Sequence, residues 1–369
     1  MTLSRLSVSN FRNISQTSLE LSKGLNLIVG QNGAGKTSLL EAIHLLSSGR
    51  SFRSARIDPL IAFHSESIVV FGSIQRKSVH YRVGVSRDRS GNREIRINGE
   101  SASRSSDLAE LLPVLVLGPQ TIELFTEGPE IRRRFLNWGV FHVKHHDFLR
   151  SWNAASKVLK QRNELLKHSH QRTEQGDIWT SELARYSNLI HQMRQEFFSQ
   201  LKQEFEEMRA TIQGLEDIEL GYAPGWKKDS DLEEQLVSQW QADLQRGFTH
   251  SGFHRANLTA KVGSEDVTSV LSRGELKILS WALMLCQGKI ASRALGESIT
   301  YLVDDLPAEL DENRRRQVSD VLLSDNYQIV ATGIDQSQLL ACWEGSTSET
   351  KLFHVKHGQF GEIQRETYE

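Results

Sequence analysis

The stretch "GQNGAGKTSLLEAIHLL", Gly30 to Leu46, follows the mostly apolar run Leu25-Asn26-Leu27-Ile28-Val29. Strand, glycine-rich turn and apolar-periodic helix in that order constrain this chain more than any other feature. The spacing G-x-x-x-x-G-K-[ST] is met by Gly30, Gly35, Lys36 and Thr37. Glycines at 30, 33 and 35 let the backbone wrap tightly and point successive N–H groups inward. Those donors and the positive end of the following helix receive phosphate oxygens. The expected nucleotide-binding residues are therefore Gly30, Gln31, Asn32, Gly33, Ala34, Gly35, Lys36, Thr37 and Ser38. Lys36 reaches the β- and γ-phosphates as a point charge, and the Thr37 hydroxyl ligates Mg²⁺. The loop predicts nucleotide binding but names no reaction.

The flanking pattern predicts an α/β core split in sequence. Strands are expected at Leu3–Val8, Leu25–Val29, Ile68–Ile74, Val79–Val85, Ile95–Ile97 and Val114–Leu117, with a hairpin turn in "RDRSGNRE". From Thr121 to about Gln245 strands nearly vanish. Leu183, Tyr186, Ile190, Met193, Phe197, Leu201, Phe205, Met208 and Ile212 recur at helical spacing, one apolar stripe on a long helix. A second helix, Asp147 to Lys167, precedes it, with "TEQGD" as the loop, so an antiparallel pair is expected. Strands return at Ile299, Tyr327 and Lys351, the last followed by a hairpin at His357-Gly358. The predicted division is 1–120 for the N-terminal part of the nucleotide-binding core with a β-subdomain, 121–270 for the helical lobe, and 271–369 for the signature helix and C-terminal part of the core.

Composition excludes more than it proposes. Lys+Arg total 44 against Asp+Glu 46, a net charge of −2, so any nucleic-acid surface must be a local patch. Cys286 and Cys342 have no metal or redox spacing, and Cys286 reads as a small buried thiol. The N-terminus has no signal-peptide core and no stretch is apolar enough to span a bilayer, which points to the cytoplasm and away from a membrane. The pentamer "FHVKH" occurs at Phe141 and Phe353 with unlike flanks; its histidines, with His146, lack metal-ligand spacing.

Two further motifs carry chemistry. "YLVDDLPAELD" ends a buried strand at Asp304, where a carboxylate can hold Mg²⁺ through water opposite Thr37. Asp305 follows, placed to orient the attacking water; Asp305 and Lys36 are the expected catalytic residues. "LSRGELKILSWALMLCQG", Leu271 to Gly288, begins a second helix whose first N–H groups can take an anion. One nucleotide does not need two such helix starts, so this one suits a nucleotide held by another copy of the chain. Arg12 and Asn13, shortly before the loop, are candidates for the base or ribose side; packing at a strand end is the alternative.

Leu271-Ser272-Arg273-Gly274-Glu275 resembles the signature motif of ABC-type ATPases, and Ala308-Glu309-Leu310-Asp311 looks like their D-loop. Together with "NFRNI" at Asn10, "GRSFR" at Gly49, "GPEIRRRFLN" at Gly128 and "VLKQRNELLK" at Val158, the pattern resembles the RecF family of bacterial recombinational-repair proteins. The resemblance covers essentially the whole chain. It implies an ABC-type P-loop core with an inserted, mostly helical lobe, and an ATP- and Mg²⁺-dependent homodimer that binds double-stranded and gapped DNA. It further implies action with RecR and RecO in loading RecA. It assigns Ser272, Arg273, Gly274 and Glu275 to nucleotide contact, and Gln120 to the metal as the glutamine between the lobes. Candidate DNA-phosphate contacts are Arg132, Arg133, Arg134, Lys157, Lys160 and Arg162, each of which could equally be a solvated charge or an internal ion pair. The chain departs from the ABC pattern with Asp305 where Glu is usual and no histidine near Gly333. Phe253 stands where the family pattern has proline, and Asn257 where it has an acid. The first two departures point to slow hydrolysis acting as a switch. A transporter ATPase subunit and a small-molecule P-loop kinase are the alternatives; the first typically lacks such a helix pair, and the second has no need of "LSRGE".

Overall fold

The computed structural model describes residues 1–168 and 173–363. From the N-terminus it runs through strands β1 (Thr2–Phe11), β2 (Ile14–Glu20) and β3 (Leu25–Val29), then helix α1 (Lys36–Ser48). Strands β4 (Ser67–Arg76), β5 (Val79–Asp88), β6 (Arg93–Ile97), β7 (Glu100–Ala102) and β8 (Val114–Leu117) follow. Helices α2 (Pro129–Val143), α3 (His145–His168) and α4 (Glu174–Thr211) then lead to β9 (Ile218–Ala223), β10 (Asn257–Val262) and β11 (Glu265–Asp266). Helix α5 (Arg273–Leu295) precedes β12 (Thr300–Val303), β13 (Gln328–Gly333), β14 (Thr350–Lys356) and β15 (Gln359–Ile363).

The chain forms two compact units, one of residues 1–121 with 295–369 and one of residues 122–294. The first holds two six-stranded sheets. One is antiparallel, in the order β2-β1-β4-β5-β6-β7; the other runs β15-β14-β3-β13-β12-β8 and is parallel except for β15. Parallel strands covered on both faces should be apolar throughout, and β3, β12 and β13 are buried at every position. Helix α1 packs on both sheets, burying Leu39, Leu40, Ile43, Leu45 and Leu46 in one core with Leu3, Leu6, Ile28 and Val330. Gln328, fully buried, ties the sheets together. Its amide accepts from Leu3 N (2.8 Å) and Thr300 Oγ1 (3.2 Å) and donates to the carbonyls of Leu3 and Ser22 (both 2.8 Å).

In the second unit α3 and α4 pack antiparallel: Arg162 meets Thr180, and Leu165 lies beside Gly176. The α4 stripe is buried from Leu183 through Met208, with Tyr186 half-exposed. At about 1.5–3 kcal/mol per large apolar side chain, this burial rather than helix propensity holds a 38-residue helix in place.

Two expectations, the "TEQGD" loop and the strand list without β2, need correction. "TEQGD" is no loop: Thr173 caps the helix, its side chain accepting from Gly176 N, and Glu174 already belongs to α4. Between Thr121 and Gln245 the described residues hold one strand, β9, which pairs with β10, and β10 with β11, in a small antiparallel sheet. Strand β2 is also absent from the sequence reading; its pattern "ISQTSLE" exposes Ser15, Gln16, Ser18 and Glu20, and pairing with β1 decides it. The contact boundary after Ala294 places nearly all of α5 in the second unit, whereas the sequence division opens the C-terminal core at 271. Among the described residues no helix is long and apolar enough to cross a membrane, and no cluster of three metal-ligating residues occurs.

Candidate nucleotide-binding site

Strand β3 delivers Gly30 to the end of the parallel sheet, where its N–H bonds Gly333 O at 3.2 Å. Gly33 (φ 77°) and Gly35 (φ 120°) hold left-handed backbone that a Cβ would strain, so the loop closes only with glycine there. Two turns brace it. Asn13 donates to Gly33 O (3.0 Å) and accepts from Ser38 Oγ (2.9 Å); Gly358, in the β14–β15 turn, donates its N–H to Ala34 O (2.8 Å). Asn13 is thus in place to shape the loop. Arg12 makes a bidentate pair with the buried Glu41 of α1, and Ser51 also bonds Glu41, so packing engages the Arg12 guanidinium.

Lys36 folds back over the loop, donating to Gly30 O (2.7 Å) and Gln31 O (3.2 Å). Burial lowers its pKa, opposed by the carboxylates of Asp305 and Asp304. Gln31, Asn32 and Gly33 are exposed, while Ala34, Gly35, Lys36 and Ser38 are buried.

Strand β12 leads directly into Asp304, whose two oxygens each lie 3.0 Å from Thr37 Oγ1. Residues 267 apart in sequence thus meet as the loop chemistry requires. Thr332, on β13, donates to Asp304 Oδ1 (2.9 Å) and accepts from Asp305 N (2.9 Å). Sequence reasoning missed Thr332. Its signal is a hydroxyl at the end of a wholly buried strand, where a polar atom needs a partner. Burial pushes the Asp304 carboxyl above its ordinary range, against hydrogen bonds from Thr332 and Thr37 and the charges of Arg53 and Lys36. Asp305 is also raised, first by burial and further by Asp304 and Glu309, with Lys36 opposing. Its backbone is left-handed (φ 54°, ψ 49°), which Asp tolerates better than most residues.

Gln120 lies by the same carboxylate: a Cβ on Gly118 would stand 3.0 Å from Gln120 Oε1 and 3.2 Å from Asp304 Cβ. Gln120 Nε2 is buried without a partner. A hydroxyl, a carboxylate and an amide are the hard oxygen donors that Mg²⁺ takes, so Thr37, Asp304 and Gln120 fit a divalent cation.

In the second unit, Ser272 caps α5. Its N–H donates to Glu275 Oε2 (2.8 Å) and its Oγ accepts from Glu275 N (3.4 Å), a capping box. Ser272, Arg273 and Gly274 are exposed, so the helix start faces solvent.

The basic candidates separate. Lys157, Lys160 and Arg134 are exposed, Arg134 pairing with Glu130 at 2.5 Å. Arg132 and Arg133 are half-buried against backbone carbonyls. Arg162 is no surface contact. It is 0% exposed, paired with Asp243 (2.8 Å), bonded to Thr249 and Thr180, and 5.0 Å from the Trp240 ring. A charge this deep persists only with a counter-charge and filled hydrogen bonds. Of the histidines, His142 is buried and held neutral, its pKa lowered to about 3 by desolvation. Cys286 is buried, as its apolar run predicts.

The sequence model described as RecF/RecN/SMC N terminal domain matches residues 2–359. The "DNA replication and repair protein RecF" of Stutzerimonas stutzeri (strain A1501) is 41% identical over 364 residues, covering 98% of each chain. Its namesake in Pseudomonas aeruginosa (strain LESB58) is 40% identical over 360 residues, covering 97% of each. Among solved structures, "the recombination mediator protein RecF-ATP in RecFOR pathway" superposes with a TM-score of 0.85 at 25% identity, covering 98% of this chain and 99% of that one. An SMC head bound to a winged-helix domain of ScpA, at 15% identity and a TM-score of 0.58, shares the fold alone. A profile spanning nearly the whole chain, with relatives this similar over their full length, shows that the chain belongs to the RecF family of DNA replication and repair proteins.

Proposed function

We propose that this chain is an ATP-driven DNA-binding switch. The observation that carries the reading is the meeting of Thr37 with Asp304, braced by Thr332, beneath the Gly30–Ser38 loop. The loop N–H groups and Lys36 bind the nucleotide phosphates. Thr37, Asp304 and Gln120 would hold Mg²⁺, which would neutralise phosphate charge. Asp305, its basicity raised by burial, takes the proton of a water whose oxygen bonds to the γ-phosphorus. The bond to the bridging oxygen breaks, and ADP and phosphate leave.

Ser272, Arg273, Gly274 and Glu275 of a second copy complete the site, so ATP closes a homodimer. The exposed, capped start of α5 supports this: opening its capping box frees N–H groups for an anion. By family resemblance, the dimer binds duplex DNA near single-strand gaps, releases it after slow hydrolysis, and works with RecR and RecO to help load RecA. A relative solved with ATP as a recombination mediator supports the same reading.

Sedimentation with and without ATP and duplex DNA tests it. The dimer should form with ATP, and DNA should sediment with it; a monomer under every condition would overturn the switch. Asp305→Asn, which suits left-handed backbone as well as Asp does, should bind ATP, lose hydrolysis and stay dimeric. ATPase equal to wild type would remove Asp305 as the base.

A further inference from the structure

Two stretches about 120 residues apart, "GPEIRRRFLN" and "SGFHRANL", meet in the second unit. The short turn Phe253–Arg255 and the two residues after it collect arginines from α2 and α4. Arg194 donates to Phe253 O (2.7 Å), Arg133 to Ala256 O (3.3 Å), and Arg132 to Asn257 Oδ1 (2.8 Å). The turn itself adds Arg255, exposed, with its guanidinium 5.7 Å from the Phe248 ring. Gly252, at φ 135°, lets the chain enter this turn, and Gly225 has no room for a Cβ, which would sit 2.3 Å from Gly252 O.

The partners of these arginines are unusual in kind. Carbonyls, amides and rings hold them where carboxylates ordinarily would. Arg194, fully buried, bonds Asn137 Oδ1 (2.7 Å) and lies 5.8 Å from the Trp152 ring. The carboxylates nearby have other partners: Glu130 pairs with Arg134, and Asp243 with Arg162 and His250. Asp266, which favours the Arg132 charge through space, bonds Thr268. Burial lowers Arg133, with Glu130 opposing and Arg255 and Arg132 adding repulsion; burial and the Arg133 charge also hold Arg194 down, at about 10. His254, lowered to about 4 by burial with Arg255 and Arg133 contributing, stays neutral. A folded unit that gathers cations at a desolvation cost, with Asp266 and Glu130 acting on Arg132 and Arg133 only through space, is built for an external anion.

Resting on the DNA-binding reading above, we propose that the turn Gly252–Asn257, with Arg255 exposed, Arg132 and Arg133 half-buried and Arg194 buried behind them, is a phosphate-binding site for a nucleic-acid backbone. Arg194 and Arg132 hold the turn and supply positive potential, while Arg133 and Arg255 reach the phosphates. The exposed lysines of α3, Lys157 and Lys160, lie outside this convergence.

The test is titration of ATP-bound protein with a duplex and with a single strand of equal length, over a salt series. Arg255→Ala should weaken binding about three- to tenfold and reduce the salt slope by about one. Arg255→Glu should weaken it further, and Arg133→Gln should resemble Arg255→Ala. Thermal melting checks that each variant is folded. Equal losses on duplex and single strand would assign the site to the backbone common to both; loss on one alone would assign it to that form. Affinity and salt slope at wild-type values in both Arg255→Glu and Arg133→Gln would overturn the site while leaving DNA binding intact. So would a larger loss in Lys157→Ala/Lys160→Ala than in Arg255→Glu. Absence of DNA binding by the wild-type protein would instead overturn the underlying function.

Discussion

Asp304 shows at the scale of one residue how a site designed for charge works against the fold that carries it. Its carboxyl is buried at a strand end and raised above its ordinary range, so ionising it costs folding free energy. A raised carboxyl is stabilising in its protonated form: that contribution is complete below the unfolded value of about 3.9 and is lost as pH rises through the folded pKa. Asp304→Asn removes the charge while its amide oxygen still accepts from Thr37 and Thr332. The nucleotide-free protein should therefore gain about 0.5–2 kcal/mol and melt ~2–4 °C higher at pH 7. Mg·ATP binding should weaken. The gap between variant and wild type should close as pH falls toward 4, because wild-type Asp304 is then protonated. Thermal scans across pH check this; a variant less stable than wild type at neutral pH would contradict it.

Among the elements, α2 meets α4 tightly at Gly139. A Cβ there would lie 2.1–2.7 Å from three carbons of the Phe197 ring, and Phe197 is itself buried. Phe197 is rigid and packed on other sides, so neither partner can yield without shifting a helix. Gly139→Ala should cost about 1–3 kcal/mol, read as a lower urea midpoint. Adding Phe197→Leu, which removes the ring, should recover part of that cost. The two changes should then be non-additive, since they share one space; full additivity would mean the helices simply move apart. This close approach has no sequence period. The α4 stripe, by contrast, is visible at once because 3.6 residues per turn repeats along a single element.

At the scale of the whole molecule, the proposed composite site makes a prediction that no single chain can satisfy. Ser272→Arg places a bulky side chain at the exposed start of α5 and leaves the Gly30 loop untouched. It should bind ATP as a monomer and not hydrolyse it, while Lys36→Ala should fail because the phosphates lose their cation. In a mixed dimer one site carries both defects and the other neither, so mixing the two inactive variants should restore part of the ATPase. Wild-type hydrolysis by a monomeric Ser272→Arg would show that one chain holds a complete site.

The sequence by itself determined what contiguous residues decide. The Gly30–Thr37 loop is legible because its glycines, lysine and hydroxyl act on one ligand from one turn. Strand β3, the β5–β6 hairpin and the α4 stripe are legible because a period of two or 3.6 is a local property. The pairing of Asp304 with Thr37 was also within reach, since each belongs to a motif of known chemistry. Tertiary structure alone decided the rest. Thr332 gains its role only because β13 lies beside β12, and Asn13 and Gly358 brace the loop only because two separate turns fold onto it. Arg162 and Arg133 look alike in sequence, yet one is sealed beside Asp243 and the other faces carbonyls near the surface. What a charged residue does depends on its desolvation and its partners, and both are set by contacts between residues far apart in the chain.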